Sequence, residues 1–191
     1  MARKERRAQV LAERKRRKKA GAAADADCYA WMASLLPASG GRVLEVGADA
    51  KGTAALTGRG WKVVTIETSA VLAEGGFGGE PVDAVTCWLL DVRATRPQVA
   101  AKLDAMGLQT ADERRLAVHT LVYRLAGRVL RPGGVLQLVD RMPEPFGESL
   151  AAGMVRLQRA QARGTPLEFA AIDARPDGGG AYVSVRSRKP G

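Results

Sequence analysis

The most constraining feature of the 191-residue chain is the run Val82-Asp-Ala-Val-Thr-Cys-Trp-Leu-Leu90, in which only Asp83 and Thr86 are polar. As a strand it lacks an apolar/polar alternation and must be covered on both faces, the situation of a central strand in a parallel sheet. The surrounding chain repeats strand, turn, helix. Val43–Val46 enters a Gly/Ala/Asp turn, Lys62–Glu67 is β-branched, and Val135–Val139 follows Pro132-Gly-Gly134. Helices are expected at Cys28–Leu36, capped by Asp27 and stopped by Pro37, at Thr53–Thr57, and from Thr95 and Pro97 to Gly107. A longer one starts at the capping box Thr110-Ala-Asp-Glu113, with Leu116, Tyr123, Ala126 and Leu130 on its inner face, and another covers Glu148–Arg163. Leu167–Asp173 and Ala181–Arg186 flank a Pro-Asp-Gly-Gly-Gly turn and read as an antiparallel hairpin. The expected fold is α/β: a mostly parallel sheet, helices on both faces, and a C-terminal antiparallel hairpin.

Charge divides the chain. Residues 1–20 carry ten Lys/Arg against Glu5 and Glu13, a net +8 of the total +10, which leaves +2 for everything after them. Val10 and Leu11 are the only large aliphatics there, too little to offset ordering, so residues 1–26 read as a basic tail and linker, disordered or helical only on binding. Residues 27–191 form the expected domain. Its aromatic content is only 5%, so the core is expected from Ala, Val and Leu. Several classes are excluded. No apolar run reaches the ~18–20 residues of a membrane helix, and the basic start lacks the apolar segment of a secretory signal. Two cysteines and one histidine argue against a disulfide scaffold or structural zinc. The expected setting is intracellular and reducing, cytoplasmic first, with a nuclear or organellar address compatible with the basic tail.

In an open α/β sheet, ligands sit beyond the carboxyl ends of the strands. The first such turn is Glu45-Val-Gly47-Ala48-Asp49-Ala-Lys51-Gly52, where Gly47 allows a sharp turn and close approach to the main chain. The second strand ends at Glu67, twenty-two residues beyond Glu45. A carboxylate there can accept both hydroxyls of a ribose; a plain surface charge is the alternative. The G-A-D-A-K-G pattern is not the G-x-G-x-x-G of a dinucleotide site, and Asp49 opposes a pyrophosphate while tolerating a sulfonium or ammonium.

These residues together resemble the class I S-adenosylmethionine-dependent methyltransferases, whose sheet is Rossmann-like. The resemblance covers about residues 28–188. It rests on Val43-Leu-Glu-Val-Gly47, Glu67, Val82-Asp-Ala-Val85, Val129-Leu-Arg-Pro-Gly-Gly-Val-Leu136 and the closing hairpin. Two departures stand out. Asp49 and Lys51 replace the second and third glycines of the family's first motif, and only seventeen residues (68–84) span the region that normally holds a helix, the third strand and another helix.

The resemblance implies S-adenosyl-L-methionine as cofactor, contacted by Glu45, Gly47, Ala48, Asp49, Gly52, Glu67, Thr68, Cys87 and Trp88. It implies in-line methyl displacement at the carboxyl end of the family's fourth strand, a reaction governed mainly by positioning. Asp91 is the expected base or orienting residue, with a loop cap as its alternative. Trp88, Asp91, Arg141, Glu144 and Phe146 are expected at the acceptor, although Trp88 also reads as core, as does Cys87. His119, the only histidine, is expected to be a packed structural residue on the order of 13 Å below the ligand edge. No [DN]-P-P-[YF] or Pro-Cys pair follows the fourth strand, which disfavours exocyclic-amine and cytosine-C5 methylation. Arg14-Lys-Arg-Arg-Lys-Lys19 suits phosphate, so RNA or a ribonucleoprotein, met through residues 3–19, is the first acceptor class. A small-molecule acceptor, or a non-catalytic methyltransferase-like subunit of an RNA–protein assembly, is the alternative. The sequence gives no oligomeric state.

Overall fold

The computed structural model describes residues 27–38, 40–73, 77–89, 97–142, 146–177 and 180–191. The basic tail, Leu90, Asp91, Thr95 and Glu144 lie outside the described residues. Six strands, β1 (Arg42–Val46), β2 (Lys62–Ile66), β3 (Val82–Trp88), β4 (Leu130–Met142), β5 (Glu168–Asp177) and β6 (Gly180–Arg188), make one sheet in the order β2-β1-β3-β4-β6-β5. β2, β1, β3 and β4 run parallel, and β6 is antiparallel to both β4 and β5. The chain begins in β1, steps out to β2, and returns across β1 to β3. The strand order therefore reverses between β1 and β3, where such sheets bind ligands.

Helix α1 (27–34) and helix α2 (Ala50–Gly58) cover one face; α4 (Pro97–Ala105), α5 (Ala111–Val129) and α6 (Glu148–Gln161) cover the other, with the single turn α3 (Thr68–Val71) beside α4 and α5. Each face has its own core. Met32, Val43, Leu56, Trp61, Ala84 and Trp88 pack on the first, and Leu44, Val85, Cys87, Val122, Leu136 and Leu138 on the second. β3 is central, as its apolar run requires, with every residue but Asp83 buried. Arginines tie the hairpin to both ends of α1: Arg175 donates to Asp27 O (2.6 Å), and Arg186, held within the hairpin by Asp173 (2.9 Å), donates to Leu35 O just past the helix (2.7 Å).

Local differences from the sequence reading have local causes. α2 begins at Ala50, not Thr53, because Asp49 caps it and accepts from Lys51 N–H. The Thr110–Glu113 capping box is formed, but the inner stripe of α5 is Val118, Val122, Leu125, Ala126 and Val129. Leu116, expected on that stripe, is 38% exposed. Pro132–Gly134 is absorbed into β4: the register jumps between Val82↔Leu130 and Ala84↔Val135, so the tight turn bulges inside the strand. Gly133 adopts φ +79 there, and its N–H bonds Lys189 O (2.8 Å). Lys189 in turn donates to Gly127 O and Leu130 O at the end of α5, a cation on free helix carbonyls. Both hairpin strands run longer than expected, one to Asp177 and the other from Gly180. Among the described residues no strand lies between β2 and β3, as the short spacing implied.

Candidate functional site

The edge beyond β1 and β2 is built by a glycine and a carboxylate. Gly47 leaves β1 at φ +69, a left-handed value that favours glycine, and its N–H bonds Ile66 O (2.9 Å) at the end of β2. Glu67 is the next residue and is exposed at the start of α3, with Thr68 buried beneath it. That one hydrogen bond sets the exposed Gly47–Ala48 turn beside Glu67.

Asp49 is fixed from two sides. Oδ1 accepts from Lys51 N–H (2.9 Å) and Oδ2 from Tyr29 O–H (2.8 Å), which links α1 to the turn. The Lys51 N–H, foremost, holds its pKa below the ordinary value. The carboxylate thus occupies the positive end of α2, where an anionic ligand group would otherwise sit. Glu45 lies deeper, 2% exposed, and accepts from Thr53 Oγ1 (2.6 Å). Burial pushes its pKa up against the opposing Thr53 bond. Gly52 is there for closeness rather than for a turn: an added Cβ would come 2.5 Å from Glu45 Oε1 and 3.4 Å from Trp88 and Tyr29 ring atoms.

The remaining expected residues divide. Trp88 is buried, packs near Tyr29 (ring centroids 6.3 Å) and donates Nε1–H to Gln137 Oε1 (3.0 Å). It supports the site from below. Cys87 is fully buried in the core of the other face, and burial drives its thiol pKa far up, so it is an inert core residue. Leu89, just past β3, is the one non-glycine described at positive φ (+49), held by N–H to Val139 O (2.8 Å). Arg141 is exposed and paired with Asp177 (2.7 Å) at the end of β4, and Phe146 is half-buried.

His119 is placed differently from expectation. It is buried, but it does not lie far below the ligand edge: Nδ1 is 3.8 Å from Asp140 Oδ2, near the end of β4. The expected depth holds only if strand and helix start level, whereas β4 continues to Met142 and carries Asp140 out to the helix. Arg115, one turn earlier, approaches the same carboxylate (3.8 Å). These groups line a cavity of about 450 Å³ between α5, α6, β4 and β6. The sequence signal was available: Asp140 closes an apolar strand, and Arg115 and His119 are four apart on one helix face.

Neither a known family's sequence profile nor any characterised protein sequence matches the chain. Solved structures do. A proposed sarcosine dimethylglycine methyltransferase from Galdieria sulphuraria aligns over 86% of each chain at 13% identity, with a TM-score of 0.52. A proposed methyltransferase from Bacillus halodurans aligns over 85% of this chain and 99% of its own at 13% identity and TM-score 0.50. A proposed hemolysin from Lactococcus lactis aligns over 82% and 81% at 15% identity and TM-score 0.50. The chain has the class I methyltransferase fold. The mixture of names shows that this fold alone does not fix an activity. Among the described residues no helix is long and apolar enough to cross a membrane.

Proposed function

We propose that the chain is a methyltransferase that takes its methyl group from S-adenosylmethionine. The observation that carries this reading is the backbone bond that sets the Gly47 turn beside Glu67, at the edge beside the strand-order reversal. The residues present fit the donor. Glu67 is suited to the two ribose hydroxyls, the Gly47–Ala48 backbone to close approach, and Asp49 to the cationic rather than the anionic part of the molecule. When bound, the donor supplies a methyl group activated on a sulfonium. The chain's own part is to orient it and to exclude water, with Tyr29 holding Asp49 and Glu45 holding Thr53 at the start of α2.

Calorimetric titration with S-adenosylhomocysteine tests the reading. Micromolar binding is expected, with Glu67→Ala reducing affinity at least about tenfold, the loss of one or two charge-assisted bonds. No detectable binding at millimolar ligand would leave the non-catalytic alternative.

RNA or a ribonucleoprotein as acceptor rests on a separate observation, the ten cations of residues 1–20. If six to ten of them met phosphates, RNA affinity would fall about 10³–10⁵-fold between 50 and 200 mM salt. A chain starting at Gly21 that keeps both affinity and salt slope refutes the tether.

A further inference from the structure

The cavity between α5 and α6 is unlike the rest of the interior. Its floor is Leu138, Val183 and Val185 from the sheet, and Leu116, Met154 and Leu157 close it from the helices. Leu116 and Leu157 are two of the three large hydrophobics described as exposed, at 38% and 42%. An apolar cavity with apolar residues at its rim is shaped for a ligand that is itself mostly apolar, and its size falls in the ordinary range for small-molecule sites.

Several of its polar groups are incompletely paired. His119 Nε2, Gln158 Oε1 and Arg115 Nε are buried without a hydrogen-bond partner. Burial lowers the His119 pKa against the opposing pull of Asp140, which favours the neutral ring. Asp140 faces the Nδ1 side at 3.8 Å, which favours the tautomer with the proton on Nδ1 and Nε2 as an acceptor. Gln158 gives its amide N–H to Ser187 Oγ (2.7 Å), and its carbonyl oxygen remains an acceptor. The charged lining residues, Asp112 and Asp140 against Arg115 and Arg141, balance two by two. The site therefore presents two spare acceptors and one N–H donor in a mostly apolar enclosure whose charges balance. Leaving buried polar groups unpaired is costly, so a ligand that pairs them gains specificity.

We infer that this cavity binds a small neutral molecule made of an apolar ring bearing a hydroxyl, with the hydroxyl donating to His119 Nε2 and Asp140 holding the opposite side of the imidazole. Asp112 at the start of α5 and Arg141 and Met142 at the end of β4 also line it. On the methyltransferase reading, on which only this assignment rests, the occupant is the methyl acceptor. His119 is then the group placed to receive the hydroxyl proton.

The test uses the full chain with p-cresol and its isostere toluene, which lacks the hydroxyl. His119 is the only histidine, so its imidazole NMR signal is unique and reports on the cavity without any variant. Expected are saturable p-cresol binding that moves this signal, and at least about tenfold tighter binding than toluene. His119→Phe should bring the two affinities together while apolar binding persists. Val183→Trp should fill the cavity and remove both. Equal affinities in the wild type, an imidazole signal unmoved at saturation, or no saturable p-cresol binding each overturns the inference. Loss of S-adenosylhomocysteine binding with p-cresol binding intact would sink the donor reading alone, and the reverse would sink the cavity alone.

Discussion

The two faces of the sheet treat buried polar groups in opposite ways, and β4 supplies both. Toward α1 and α2 it presents Gln137, fully buried and fully bonded: Oε1 accepts from Trp88 Nε1, and Nε2 donates to Met32 O and Ser184 Oγ, each at 3.0 Å. Toward α5 and α6 the neighbouring positions present Leu138 and Asp140, which border a cavity where His119, Gln158 and Arg115 keep unpaired atoms. A closed network joins α1, β3, β4 and β6 and does structural work. An open one beside empty volume has capacity left for a ligand. The difference separates support from site more sharply than burial does, since Gln137 and Gln158 are both buried.

The largest test of this contrast is the pair Gln137→Leu and Gln158→Leu. The first strips partners from Trp88, Met32 and Ser184 and should cost about 3–5 kcal/mol in denaturant unfolding, whereas the second should cost about 1 kcal/mol or less. Equal costs would break the comparison. Next is Gly52→Ala, which drives a methyl against Glu45 and should cost about 1–3 kcal/mol by overpacking on the α1/α2 face. Asp49→Ala should cost about 1 kcal/mol through loss of the α2 cap. Its pKa is lowered on folding, so the Asp49 contribution is present above the ordinary value and lost as pH falls through the depressed one. The variant should flatten the acid limb of the stability profile there.

The smallest effect concerns His119. Its pKa is lowered by burial, so between its depressed folded value and the ordinary 6.5 the unfolded chain binds more protons than the folded one. Stability should therefore decline as pH falls below about 6.5, and His119→Phe should remove that part of the slope. A stability profile in which wild type and variant run parallel from pH 7 to 5 would show that the ring is not held neutral.

Much of the fold was legible in the chain because its signals are local. The unbroken apolar run of β3 demanded a central strand, and the Thr110–Glu113 box marked the start of α5 by bonds within four residues. The Gly47 and Glu67 edge was legible too, because both follow strands directly and strand ends face the ligand side in this architecture. Asp49 was read for its charge, but its role as a cap held by Tyr29 needed α1 to be brought across. The inner face of α5 was misread at Leu116 since periodicity fixes relative angles around a helix, not which angle meets the sheet.

By itself the sequence determined the architecture, the lack of a strand between β2 and β3 among the described residues, and the placement of Gly47 and Glu67 at the strand ends. All of these depend on neighbours in the chain or on strand order. The tertiary structure alone decided that Trp88 and Gln137 form a closed support while His119 and Asp140 open onto a cavity. Those outcomes depend on how far β4 extends against α5 and on how α6 packs beside them. Residues more than a hundred positions apart then share one hydrogen bond, as Gln137 does with Met32, and no periodicity records such a meeting.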